Sequence, residues 1–145
     1  MLKRSLEDIL KNYRAGPDDL PEAVRELWFD SQAGLDDEDH ELWLEHLNEF
    51  RGENSLLIER LSGDLESIII WPAVLFVSLK EADCLLTVMN DQRLYLAAVY
   101  EVGKMEMNEN WEEVLNVPEK HAIVNIHFLA WLIELVIMRL DDSGY

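Results

Sequence analysis

Between Asp37 and Leu61 the side chains that want to leave water return at helical spacing. Trp43, Leu47, Phe50, Asn54, Leu57 and Leu61 fall close together on a wheel of about 100° per residue, with Asn54 the one polar member of the stripe. The stripe continues past Gly52, so the spacing predicts one helix over 37–61, with Gly52 as a point of weakness and Gly63 as its end. Asp36 and Asp37 supply its cap. Upstream, Ser5 with Asp8 three residues on resembles a capping arrangement, and a short helix should run from there to Arg14, ahead of Gly16-Pro17. A second helix is predicted from Leu20-Pro21, with proline in its first turn, fading by Gly34.

The second half of the chain opens on an ambiguous stretch, 65–77. Its isoleucines and valines suit a strand, but Pro72 rules out one long central strand. Two short extended pieces or a buried apolar connection fit equally. Ser78-Leu79-Lys80-Glu81 is a capping box, and the helix it opens should reach Val102, with Gly103 as its stop. A short helix over Asn108–Leu115 is expected inside a linker. Asn116-Val117-Pro118-Glu119 then starts a last helix that runs to about Leu140. Its apolar run, Ala122–Met138, is interrupted by Asn125, His127 and Glu134, whereas a spanning helix needs about 20 predominantly apolar residues. It is read as the buried central helix of a globular protein. The fold expected is therefore all-α, a single helical domain over 1–145, with the apolar C-terminal helix packed on the 79–102 helix.

Composition narrows the functional classes. Hydrophobic residues make up 49% of the 145, so the acidity is not that of a disordered tail. The single cysteine, Cys84, leaves no internal disulfide framework and fits a reducing compartment. The charged Met1–Arg4 is followed by Glu7, Asp8 and Lys11 rather than by an apolar stretch, so no export is expected and the location is read as cytoplasmic, with no membrane partner. Thirty acids against twelve bases give a formal charge of -18. Nucleic-acid binding draws its affinity from Lys and Arg neutralising phosphates, and no basic stripe exists here. Basic proteins are the partners such a field attracts.

That field has a local focus. Glu38, Glu41, Glu45 and Glu49 fall on one side of the 37–61 helix, opposite the Trp43–Phe50 stripe, and no Lys or Arg occurs between Asp30 and Arg51. Like charges at i,i+4 cost about 0.2–0.5 kcal/mol each. A solvated face is the plain reading; a binding surface for a basic partner, where the repulsion is relieved, is the sharper one.

Other candidate chemistry centres on Arg93. Ala82, Leu86, Met89, Arg93, Leu96, Ala97 and Tyr100 share one face of their helix, so the arginine must snorkel out or meet an acid. Glu134, among Ile123, Trp131 and Met138, is the acid on offer. Such a pair would fix helix packing, with a cost of about 3–5 kcal/mol for truncating one partner, or would form a site. His127 lies about 10.5 Å from Glu134 along the axis, so the two cannot share a small ion without further ligands. Metal patterns fail: the histidines in His40–His46 are six apart where zinc helices need four, and no calcium loop, phosphate loop, dinucleotide fingerprint or nucleophile elbow occurs. No catalytic residue, metal ligand or cofactor is assigned.

Leu85, Leu86, Met89, Asn90, Asp91, Arg93 and Leu94, followed later by Trp131, Leu132 and Glu134, carry a resemblance. The stretch Leu79–Leu140 resembles the bacterial domain-of-unknown-function family 2017, which pairs a helix reading roughly W-L-x-x-L-N-D-x-R-L with a later W-L-x-E. Here Leu85 stands for the first tryptophan, Met89 for a leucine and Ala97 for a glycine, and Met1–Val77 is unmatched. The resemblance implies a bacterial, intracellular, mainly helical protein with no assigned reaction. It places Asn90, Asp91, Arg93 and Glu134 at motif positions. In actinobacteria, members of that family are often encoded beside an adaptor of the Clp protease, which implies a link to proteolysis or regulation.

The leading expectation is a non-catalytic interaction or regulatory protein that binds another, basic protein through the Glu38–Glu49 ridge. One alternative is an acidic inhibitor or immunity protein covering the basic cleft of a nucleic-acid enzyme. The other is an enzyme or metal protein using Asn90, Asp91, Arg93, His127 and Glu134.

Overall fold

Residues 2–29, 34–67, 76–102 and 118–142 are described by the computed structural model. They form five α-helices: α1 (Leu2–Arg14), α2 (Glu22–Phe29), α3 (Asp37–Glu66), α4 (Leu79–Val99) and α5 (Pro118–Asp142), with a short 3-10 turn over Pro17–Asp19. No strand occurs among the described residues, so the fold class is all-α. The ambiguous stretch 65–77 begins as helix, since α3 runs to Glu66; its residues 68–75, the short helix over Asn108–Leu115 and the cap at Asn116 lie outside the described residues. Contacts divide the chain into two units, Met1–Val77 and Ser78–Tyr145.

In the first unit α1 buries Leu6, Ile9 and Tyr13, a three-and-four spacing that defines one stripe. The helix begins at Leu2, so Ser5 sits inside it at 7% exposure and is no cap. In its first turn the Lys3 ammonium pairs with Glu7 one turn on and with Glu66 of α3 at 2.6 Å. Lys3–Glu66 at one end of α1 and Arg51–Asn12 at the other set α1 antiparallel to the second half of α3. α2 buries Val24, Trp28 and Phe29.

The α3 cap is the expected one, with Asp36 Oδ1 accepting from the Asp39 amide at 2.9 Å. The helix runs unbroken through Gly52 and through Gly63, which does not end it. Burial of Leu57, Ile58 and Leu61 outweighs the cost of about 1 kcal/mol for an interior glycine, and the helix stops at Glu66 instead. Every buried residue of α3 lies at Arg51 or beyond. The predicted stripe weakens upstream, where Trp43 and Leu47 are half-buried and Phe50 is exposed.

The second unit packs α4 against α5, as expected. Its capping box is complete: Ser78 Oγ accepts from the Glu81 amide at 3.3 Å, and Glu81 Oε2 accepts from the Ser78 amide at 2.6 Å. α4 ends at Val99, short of Val102, because Glu101 turns left-handed at φ 48° and the Val102 amide closes back on the Ala97 carbonyl at 3.0 Å. Its buried residues are Ala82, Val88, Met89 and Gln92, a stripe rotated by roughly 60° from the face centred on Arg93. α5 buries Ala122, Ile123, Ile126 and Leu129, all in its first half. From Ala130 to Asp142 no side chain is buried, and Trp131 and Met138 are 53% and 61% exposed. The reading of α5 as a buried central helix is corrected accordingly: among the described residues α4 covers one stripe of it and its second half stays largely open. Lys120–Asp142 is long and apolar enough to cross a membrane by length and composition, a test that core helices of soluble proteins also pass.

Candidate functional site

The first half of α3 carries the acidic ridge. Glu38, Glu41, Glu45 and Glu49 are all exposed, and among the described residues no Lys, Arg or His lies within ion-pair distance of them. The reason is local: no Lys or Arg is present between Asp30 and Arg51, and no side chain from Asp37 to Phe50 is buried. His40 stacks on Trp43 with ring centroids 5.7 Å apart, on the side away from the ridge. Leu42 lies on the ridge side and is 52% exposed.

Where the ridge meets the packed half of the helix there is a groove of ≈ 420 Å³. Asn48, Gly52, Ser55 and Leu56 of α3 line one side and residues 13–17 the other. Glu41, Glu45, Asn48 and Gly52 succeed one another at i, i+4, i+7 and i+11, so the ridge leads along a single helix face into this groove. Two arginines border it. Arg14 is held by Glu59 at 2.9 Å. Arg51 is 6% exposed, with its guanidinium over the rings of Tyr13, Trp28 and Phe29 at 4.5, 4.6 and 5.3 Å. It also donates to the Asn12 carbonyl at 2.8 Å.

The second cluster is not assembled as the wheel suggested. Glu134 is exposed and Arg93 half-buried, and among the described residues no ion pair joins them. The rotation of α4 accounts for this, since Gln92 rather than Arg93 faces inward. The Arg93 Nε is nonetheless buried without a hydrogen-bond partner. Asn90 and His127 are exposed, and Asp91 is half-buried. Among the described residues no group of three His, Cys, Asp or Glu side chains is placed to hold a metal ion.

Sequence reasoning located the ridge and missed both Arg51 and the groove. A signal for Arg51 was available, because it lies on the wheel within about 40° of Leu47 and Ile58, on the side that faces the core. Its aromatic partners come from two other helices, at positions no spacing rule connects to it. Compared with known proteins, the chain matches no family model, no curated protein and no solved structure.

Proposed function

We propose that the protein is a non-catalytic interaction module that docks a basic region of another protein on the α3 ridge. The observation that carries this reading is the exposure of Glu38, Glu41, Glu45 and Glu49 on one helix face, with no cation beside them among the described residues. Carboxylates at i,i+4 repel one another, and a basic partner relieves that repulsion while its approach is steered by the charge of -18. The same field repels phosphates, which argues for a protein partner over nucleic acid.

The test is an affinity capture from bacterial lysate at low and high salt, with wild type and a variant in which all four glutamates become glutamine. A specific protein retained by wild type, lost in the variant and released by salt supports the reading, provided the variant keeps its helical circular dichroism. Equal recovery by both chains sinks it. If the retained protein is a nucleic-acid enzyme whose activity falls on binding, the module is an inhibitor that covers its basic cleft.

A further inference from the structure

We infer that the ridge and the groove form one docking surface for a basic amphipathic helix of the partner protein. An apolar side chain of that helix enters the groove beside Gly52 and Leu56, and its Lys and Arg residues rest on Glu41 and Glu45. The inference rests on the ridge reading above and adds the partner's chemistry.

Gly52 points to an outside occupant. An interior glycine costs a helix about 1 kcal/mol relative to alanine. Among the described residues a Cβ at Gly52, as at Gly63, would meet no atom within 4 Å, and what sets Gly52 apart is its place in the groove wall. What a missing side chain gains is a close approach for something outside, and here it lies open in the wall of the groove. Leu56 beside it is 67% exposed, and Leu42 is exposed toward the far end of the same face, about 21 Å away along the axis. Between those apolar points lie Glu45 and Glu49. A flexible basic tail would satisfy the carboxylates and leave the leucines and the groove unused. A helix with one cationic edge and one apolar stripe matches both.

The bordering arginines do not oppose this occupant. The charge of Arg14 is offset by Glu59, and the Arg51 guanidinium faces its three rings beneath the surface. Glu41 and Glu45 lie about 10.5–16.5 Å from Gly52 along the axis, so two to three turns of a partner helix span from anchor to charges.

The experiment measures binding of the full chain to three synthetic probes: an amphipathic Lys/Leu helix, its scrambled isomer, and an oligolysine of equal charge. Gly52→Leu fills the notch and Leu56→Lys reverses the exposed anchor; both are surface changes, checked by thermal melting. The amphipathic probe is expected to bind at least about ten-fold tighter than the other two, the equivalent of one well-buried apolar side chain. Gly52→Leu and Leu56→Lys should each erase that preference, while the four-glutamine variant should weaken all three probes. Equal binding of the three probes, still lost in the glutamine variant, overturns the amphipathic helix and leaves the ridge reading intact. A preference that survives both groove substitutions places the anchor elsewhere and overturns the inference. Binding indifferent to the glutamine variant overturns both readings.

Discussion

The guanidinium carbon of Arg51 lies 4.5 Å from the centroid of the Tyr13 ring, and this contact fastens α3 to α1. Trp28 and Phe29 bring α2 to the same cation, at 4.6 and 5.3 Å. Three helices thus converge on one arginine that is almost out of water.

Replacing that arginine tests how much the convergence contributes. Desolvated cation–π contacts reach about 2 kcal/mol, and a charged hydrogen bond such as that to the Asn12 carbonyl contributes about 1.5–3 kcal/mol. These terms overlap, so Arg51→Ala should destabilise the first unit by roughly 3 kcal/mol in urea unfolding. Arg51→Lys keeps the charge but loses the planar face, and should still cost more than about 1 kcal/mol. A loss below that for the alanine variant would make the stacking incidental.

Asn54 makes the opposite prediction. It is fully buried, and neither its amide nitrogen nor its carbonyl oxygen has a protein partner among the described residues. Leucine has the same side-chain branching without the polar atoms. Asn54→Leu should therefore stabilise by about 1–3 kcal/mol, seen as a higher melting midpoint. A fall in midpoint would show that the amide is needed where it sits.

In the second unit the capping box sets where α4 begins. Ser78→Ala removes the acceptor for the Glu81 amide and should cost about 1 kcal/mol. Amide exchange at the first turn of α4 should quicken first; uniform exchange along α4 would count against a local role for the cap.

The exposed Lys3–Glu66 pair predicts a pH signature. The hydrogen bond from Lys3, and then its charge, hold the Glu66 carboxyl below its ordinary pKa, while the hydrogen bond to Glu66 raises that of Lys3. The Glu66 contribution is therefore present above the ordinary glutamate range and lost as pH falls through the depressed value. The Lys3 contribution is complete below the ordinary lysine range and lost as pH rises through the raised one. In Lys3→Met the Glu66 carboxyl should titrate at higher pH by NMR, and an unchanged midpoint would remove the pair from the account. Because both groups are in water, the effect on overall stability should be slight.

Local signals in the sequence carried the fold well. Asp36 and Ser78 cap the helices they announce, because these choices depend only on near neighbours. Signals that depend on distant residues were less legible. Gly63 reads as a stop until α1 packs against the turns around it, and Ser5 reads as a cap although it is buried within α1. The wheel of α4 placed Arg93 at the centre of a buried face, yet burial centres nearer Val88 and Gln92, since α5 and not amphipathicity alone fixes the angle. The ridge was visible because charge and period suffice to draw it. The groove was not, because it forms where the end of α1 comes alongside α3.

That division within α3 makes its first half behave as a cantilever. The roughly four turns from Asp37 to Phe50 bury no side chain, and a helix of that length is marginal by itself in water. It persists by growing out of the anchored half, so it should fray inward from Asp36 while the rest of its unit stays folded. Hydrogen exchange would show a gradient that slows toward Arg51. A protein clasping the beam would flatten that gradient over residues 37–50 and leave the exchange of α1 as it was.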